Sequence, residues 1–189
     1  MTRNETTTLK GRLLVAMPSL QDPHFERSVI FLCAHSEDGA LGIVVNHTYD
    51  SSVKKVVEQL GIPWQRLGFL PVFNGGPVSP ERGFVLYEGA LGVVGEVEIL
   101  PSVFLGTSPD VLRALGHESE NRPMLFALGY AGWAEGQVEE ELRDNSWLVC
   151  PPQRHLLFDL PAEQRYGAAL RVMGVDPATL VDSGVGSVN

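Results

Sequence analysis

The apolar residues of this chain are divided among many short segments, and this division limits the possible fold more than any other feature. Most segments are about four to seven residues long, rich in Val, Ile, Leu and Phe, and bounded by Gly, Pro, Asn or Asp. Such a pattern is typical of β-strands. The sequence predicts strands at Leu13–Met17, Ser28–Ala34, Leu41–Asn46, Val72–Asn74, Phe84–Tyr87, Val93–Leu100, Val103–Leu105, Met124–Leu128 and Trp147–Cys150.

The connections between these segments predict two β-hairpins. Asp38-Gly39 favours a tight turn between segments 28–34 and 41–46, because both residues tolerate the left-handed conformation. A second hairpin is predicted between segments 84–87 and 93–100. Met124–Leu128 consists of five apolar residues in a row, which predicts a central strand buried on both faces.

Helical periodicity is confined to isolated segments. Apolar residues at helical spacing, together with capping residues, predict helices at Ser52–Leu60, Ser108–Gly116, Gln137–Arg143 and Ala162–Met173. A last short turn is predicted after Asp176-Pro177. Hairpins mixed with single helices, without regular strand–helix alternation, indicate an α+β fold with a mixed sheet. At 189 residues the chain fits one domain, taken as residues 11–181, between flexible tails at residues 1–10 and 182–189.

Residues 129–151 combine a glycine-rich element, an acidic helix and an apolar strand. We expect the stretch from Gly129 to Trp133 to turn the chain sharply at the edge of the sheet, with Gly129 and Gly132 needed for the backbone conformation. Tyr130 and Trp133 have two interpretations. They are either side chains of the hydrophobic core or anchors for a ligand or a protein partner.

Charge and composition narrow the classes of function. The formal net charge is −9 and the densest basic pair is Lys54-Lys55, so direct nucleic-acid binding is disfavoured. The N-terminus has no apolar signal region and no apolar run is long enough to span a bilayer, so we expect a cytoplasmic protein without membrane contact. Cys33 and Cys150 lie in apolar runs and are predicted to be buried thiols.

Standard catalytic, phosphate-binding and zinc-binding motifs are absent from the sequence. We therefore predict no catalytic residue, no metal and no cofactor. His35 and His47 fall at opposite ends of the first predicted hairpin, so they cannot share a metal ion. Glu139–Glu141 are successive helical residues that point in different directions, and we interpret them as a solvated acidic face.

Asn74-Gly75-Gly76-Pro77-Val78 is a second glycine-rich element. Its backbone N–H groups offer a nest for an anion. Alternatively, it is a structural turn that lets the chain pass close to another strand.

Four segments, in order, resemble the signatures of the AlgH/YqgE family of bacterial proteins. They are Leu14–Ile30, Gly39–Asn46, Asn74–Val78 with Gly83–Leu86, and Gly129–Trp147. The resemblance implies a single α+β domain with a mixed, mostly antiparallel, strongly curved sheet. Family members have been labelled candidate transcriptional regulators, and the resemblance supplies no catalytic residue, cofactor or DNA-contacting element. Tyr87 stands where a histidine is common in the family.

Two functional hypotheses follow. The first is a cytoplasmic regulatory or interaction protein that binds an unidentified protein partner and is not catalytic. The second is a small-molecule or nucleotide-binding protein, with or without enzymatic activity, whose pocket joins Asn46, the Gly75-Gly76 turn, Tyr130 and Trp133. The candidate ligand- or partner-binding residues are Asn46, Asn74, Gly75, Gly76, Tyr130, Gly132, Trp133 and Gln137.

Overall fold

The computed structural model describes residues 8–118 and 122–182, and the predicted tails fall largely outside these ranges. The strands within the described residues are β1 (Leu13–Ala16), β2 (Val29–Ser36), β3 (Gly39–Val44), β4 (Thr48–Ser52), β5 (Pro71–Asn74), β6 (Val78–Glu88), β7 (Glu96–Leu100), β8 (Val103–Gly106), β9 (Met124–Trp133) and β10 (Trp147–Cys150). The helices are α1 (Val53–Gln59), α2 (Pro109–His117), α3 (Gln137–Arg143), α4 (Arg154–Phe158), α5 (Ala162–Val172) and α6 (Pro177–Asp182).

The strands join in one curled sheet that forms a half-barrel. Its main path runs β10-β1-β2-β3-β9-β6-β8-β7, and the β4–β5 pair attaches to β9 through β5. The β5–β9 pair is parallel, and the other pairs of described strands are antiparallel. The predicted α+β domain with a mixed, mostly antiparallel, curved sheet is confirmed.

Strand β9 is the centre of the sheet. Its first half, which contains Phe126 and Ala127, lies between β5 and β6 and is buried as predicted. The expected sharp turn after Leu128 is wrong. The chain continues as strand through Trp133 and pairs with β3, because the left-handed Gly129 (φ 75°) bends the strand without reversing it.

The first predicted hairpin, β2–β3, is present, whereas the second is wrong. β6 pairs with β8, and β7 lies on the far side of β8. The loop between β6 and β7, residues 89–95, is longer than a common hairpin turn of about two to five residues. The ring of Tyr87 instead stacks on Phe104 of β8, with centroids 5.9 Å apart.

Two elements were not predicted. β4 has the polar sequence Thr-Tyr-Asp-Ser-Ser and is mostly exposed, so it lacks the apolar alternation that marks a strand. α4 is only five residues long, too short for a periodic signal. Helices were predicted correctly at α1, α2, α3 and α5.

Three hydrophobic clusters stabilise the sheet. The largest packs α4 and α5 against strands that include β1 and β2. A second packs Val57 of α1 and Leu115 of α2 against β5, β6 and β9, and a third surrounds Trp133 and Trp147.

Cys33 and Cys150 are free and buried, as predicted, and burial raises the pKa of both thiols. Within residues 8–118 and 122–182, no helix is long and apolar enough to cross a membrane.

Candidate functional site

The connection between β1 and β2, residues 17–28, is a segment that two of the predicted site residues, Asn46 and Trp133, hold in place. We call it the β1–β2 loop. Asn46, which follows β3, holds the end of this loop with both atoms of its amide. Its Oδ1 accepts a hydrogen bond from the Val29 N–H at 2.7 Å, and its Nδ2 donates to the Arg27 carbonyl at 2.8 Å.

Arg27 needs this support, because its backbone has φ 53°, in the left-handed region that side-chain-bearing residues rarely adopt. Such strain persists only where surrounding contacts enforce it, and it is frequent at functional sites. The guanidinium of Arg27 lies over the ring of Tyr166, 5.0 Å from its centroid. The β1–β2 loop is therefore held in one strained conformation.

Trp133 holds the middle of the same loop. Its ring is 6% exposed and stacks on Phe25 of the loop, with centroids 6.3 Å apart. Trp147 meets both rings edge-on. Of the two interpretations of Trp133, the structure therefore supports the core side chain.

Glu141 orients this aromatic cluster, and it is a residue that the sequence interpretation missed. One of its carboxylate oxygens accepts hydrogen bonds from the indole N–H of Trp133 at 2.9 Å and of Trp147 at 2.7 Å. Gln137 donates to the other oxygen at 2.8 Å and also accepts from the Ala134 N–H. The i, i+4 spacing of Gln137 and Glu141 is the sequence signal that indicates such a pair.

The interpretation of residues 139–141 as a solvated acidic face is correct only in part: Glu140 is exposed, whereas Glu139 and Glu141 are half-buried and hydrogen-bonded. His35 bonds to Glu139 at 2.8 Å through Nε2, while its Nδ1 accepts from the Leu9 N–H at 3.0 Å. The acceptor role of Nδ1 places the proton on Nε2. His35 thus joins the N-terminal segment to α3.

A cavity of about 240 Å³ lies beside the β1–β2 loop, and we call it the histidine cavity. It is lined by Pro23, His24, Val44, His47, Asn74, Gly76 and Pro77. Two of the predicted residues, Asn74 and Gly76, form part of its wall, whereas Tyr130 and Trp133 are not among the lining residues. The predicted residues thus do not surround one pocket: some line a cavity and others hold its loop.

The Gly75-Gly76 turn passes directly against β9. A Cβ on Gly75 would collide with the Gly129 carbonyl, and one on Gly76 (φ 144°) would collide with the backbone of Tyr130. The Gly75 N–H donates to the Leu128 carbonyl at 2.8 Å, so it is not free for an anion. The structural interpretation of this turn accounts for both glycines.

The remaining predicted residues lie on β9. Tyr130 is half-buried and meets Phe84 edge-on, with centroids 5.6 Å apart. Gly132 is exposed, and a Cβ there would touch side chains alone, the ring of Tyr130 at 3.2 Å and Val78 at 3.9 Å. Neither residue contributes a polar group to the histidine cavity.

The ionisable groups of the cavity are two imidazoles. Burial lowers the pKa of His47, while hydrogen bonding to the Glu26 backbone acts in the opposite direction. His47 is therefore mainly neutral at neutral pH, with one nitrogen donating and one accepting. His24 is exposed and lies 3.1 Å from Asp22. Among the described residues, no three His, Cys, Asp or Glu side chains are grouped to hold a metal ion.

Tyr87 stands where a histidine is common in the AlgH/YqgE family, and it does not line the histidine cavity. It is fully buried, and its hydroxyl donates to Glu96 at 2.7 Å. Burial, followed by the bond to Glu96, raises its pKa. Tyr87 is therefore protonated at neutral pH and acts as a hydrogen-bond donor that fixes the β6–β7 loop.

Known proteins resemble this chain over nearly its whole length. The AlgH-like family profile matches residues 13–178. A UPF0301 protein of Magnetococcus marinus is 52% identical over 182 residues, which cover 96% of this chain and 98% of the relative. A UPF0301 protein of Laribacter hongkongensis is 41% identical over 182 residues, covering 95% and 97%.

Two solved structures share the fold. The solution structure of the AlgH protein from Pseudomonas aeruginosa has a TM-score of 0.78 and 40% identity, with both chains fully covered. A crystal structure of a protein from Corynebacterium diphtheriae has a TM-score of 0.68 at 24% identity, covering 98% of this chain and 95% of that one, which shows likeness of fold alone. The family match and the curated relatives together establish that this chain belongs to the AlgH-like family.

Proposed function

We propose that this chain is a cytoplasmic regulatory protein that works by binding a small polar ligand in the histidine cavity, and not by catalysis. The observation that carries the proposal is the convergence of His24, His47 and Asn74 on one cavity beside a loop with a strained residue. Asn46 and Trp133 support it indirectly, because both hold that loop in place.

The size and chemistry of the cavity determine the class of ligand. Pockets for drug-sized molecules commonly span about 300–1,000 Å³, and the histidine cavity, at about 240 Å³, suits something smaller. Imidazole and amide groups both donate and accept hydrogen bonds. A small metabolite with hydroxyl, amide or carboxylate groups fits this combination better than an apolar molecule does.

Two further considerations support binding over other activities. Covalent catalysis needs a nucleophile in hydrogen-bond reach of a base, and the described lining of this cavity supplies the base His24 beside Asp22 but no Ser, Thr, Cys or Lys nucleophile. A net charge of −9 opposes direct nucleic-acid binding. We propose that any regulatory effect passes through a ligand or a protein partner.

The test is a thermal-shift screen of the purified protein with nucleotides, carboxylic acids and other small polar metabolites. A ligand that binds only the folded state raises the melting temperature. We expect Asn74→Ala and His24→Ala to weaken the shift at least tenfold in ligand concentration, whereas the control His117→Ala, an exposed histidine on α2, leaves it unchanged. A shift that survives both cavity substitutions, or no shift with any compound, would overturn the proposal.

A second candidate function, binding of a protein partner, has its own observation. The segment between α1 and β5 exposes three large apolar side chains within ten residues: Leu60 is 56% exposed, Leu67 is 85% exposed and Phe69 is 74% exposed. Clustered apolar exposure of this kind often marks a protein–protein contact. We propose that a partner, or a second copy of this chain, covers Leu67 and Phe69.

The double variant Leu67→Ser, Phe69→Ser tests this second function. We expect it to abolish self-association in sedimentation velocity, or to release a partner that the unmodified chain retains and that binds the purified protein directly. The matched control is Val94→Ser, which alters a side chain that is 89% exposed elsewhere on the surface. Equal effects of the two variants would exclude a specific contact at residues 60–70.

A further inference from the structure

A second cavity, of about 260 Å³, uses other residues of the β1–β2 loop. Its wall includes Met17, Leu20, Glu26, Arg27, Tyr166 and Leu180. None of these residues lines the histidine cavity. The two cavities therefore offer different chemistry, and we call this one the Arg27 cavity.

The side chain of Arg27 is exposed, yet contacts fix the position of both its backbone and its guanidinium. Asn46 enforces the left-handed backbone of Arg27 by accepting from Val29 and donating to the Arg27 carbonyl. The ring below the guanidinium is itself fixed, because the Tyr166 hydroxyl donates to the Ala16 carbonyl at 2.8 Å. Backbone strain that is enforced in this way points to a function for the side chain that it positions.

Charges of both signs meet at this cavity without neutralising each other. Within the described residues, neither Glu26 nor Arg27 takes part in an ion pair. A guanidinium presents paired donors that match a carboxylate, and a carboxylate accepts readily from an ammonium group. Met17, Leu20 and Leu180 add an apolar part to the wall of the cavity.

We propose that the Arg27 cavity binds a free α-amino acid with an apolar side chain. The ligand carboxylate bonds to Arg27, its ammonium group faces Glu26, and its side chain packs against Met17 and Leu20. A molecule with only one of the two charges leaves Arg27 or Glu26 without an oppositely charged partner. The cavity volume is below the range typical of drug-sized ligands, which agrees with a small metabolite.

The test is calorimetric titration of the full chain with L-leucine as the probe, beside two analogues. One analogue, 3-methylbutan-1-amine, lacks the carboxylate, and the other, 4-methylpentanoate, lacks the ammonium group. We expect L-leucine to bind at least tenfold more tightly than either analogue. Equal binding of L-leucine and either analogue, or no binding of L-leucine, would overturn the proposal.

Substitutions locate the binding. Arg27→Asn removes the guanidinium and keeps a residue type that tolerates positive φ, and Glu26→Gln removes only the negative charge. Each is expected to weaken L-leucine binding at least tenfold while circular dichroism remains unchanged. The matched control is Arg82→Asn, since Arg82 also lies over an aromatic ring, that of Phe84, at 5.3 Å. Unchanged affinity in both Arg27→Asn and Glu26→Gln would refute the assignment, whatever the outcome for the histidine cavity.

Discussion

At the scale of single residues, Trp133 shows how one side chain joins the sheet to the candidate site. It is buried against Phe25 and Trp147, and its indole N–H is bonded to Glu141. We predict that Trp133→Ala lowers the free energy of unfolding by about 3–5 kcal/mol, as truncation of large buried aromatic residues does. Urea denaturation measures this loss, and a change below about 1 kcal/mol would show that Trp133 is not a core residue.

Two buried arginines differ in how their donors are satisfied. Arg66 is 8% exposed; its Nε and Nη1 have no hydrogen-bond partner among the described residues, while Nη2 donates to the Arg122 carbonyl. Arg165 is 5% exposed and donates to the carbonyls of Leu160 at 2.9 Å and Val45 at 2.6 Å. Burial lowers the pKa of both, that of Arg165 to about 10.

We predict that replacement by methionine lowers stability much more at Arg165 than at Arg66. Arg66→Met removes unpaired buried donors, so stability should stay within about 1 kcal/mol or increase. Arg165→Met leaves two buried carbonyls without their donor and should cost about 1–3 kcal/mol. The two variants act as controls for each other in one denaturation series. An equal decrease in the free energy of unfolding would show that the pairing of the buried donors does not decide the effect.

At the scale of elements, β9 depends on one of its two glycines much more than on the other. A Cβ on Gly129, at φ 75°, would collide with the Gly76 carbonyl, whereas one on Gly132 would touch the side chains of Tyr130 and Val78 but no backbone. We predict that Gly129→Ala costs about 1–3 kcal/mol through backbone strain alone. Gly132→Ala should stay within about 1 kcal/mol of the unmodified protein.

Thermal denaturation of the two alanine variants gives the comparison directly. Both substitutions add the same methyl group to the same strand, so the difference between them reports the backbone and its neighbours. A larger loss for Gly132→Ala would mean that the crossing of the Gly75-Gly76 turn over β9 does not constrain the strand.

At the scale of the whole molecule, His47 links stability to pH. Burial holds its pKa in the folded state below 6.5, so the unfolded chain takes up a proton at a higher pH than the folded chain. Where the unfolded state binds more protons, stability rises with pH. We therefore predict that stability decreases as pH falls through the pKa of the unfolded imidazole, and that this loss ends below the folded pKa.

The measurement is the urea midpoint at about pH 7.5 and about pH 5.5 for the unmodified chain and for His47→Gln. The glutamine variant should show a smaller decrease, because it cannot take up the proton. The pKa values of Glu88 and Glu96 are also lowered, but they affect stability only below about pH 4.5, outside the range of this measurement. Identical decreases in the two proteins would exclude His47 as the source.

Much of the architecture follows from local sequence patterns. Short apolar runs bounded by turn residues were sufficient for most strands, and the five apolar residues of Met124–Leu128 predicted the central strand, because a strand buried on both faces has no polar side. Asp38-Gly39 predicted the β2–β3 hairpin because turn chemistry is local. β4 lacked such a signal, since its polar residues resemble a loop.

The candidate site depended on contacts between distant parts of the chain. Asn46 and Trp133 stood out in the sequence, yet they hold the β1–β2 loop only because residue 46 and residues 133–147 meet that loop in the folded sheet. The role of Glu141 was missed because the donors that bond to its carboxylate, Trp133 and Trp147, lie outside its own helix.

By itself, therefore, the sequence determined the class of fold, most of its strands and helices, and the family. The fold class and its elements depend on periodicity and turn chemistry, which act over a few residues, whereas the family was indicated by the resemblance of four ordered motifs. The tertiary structure alone decided that β9 continues past Gly129, that β6 pairs with β8, and that two cavities border the β1–β2 loop. Each of these depends on which distant surfaces meet, because the free energy of packing depends on shape and burial in three dimensions.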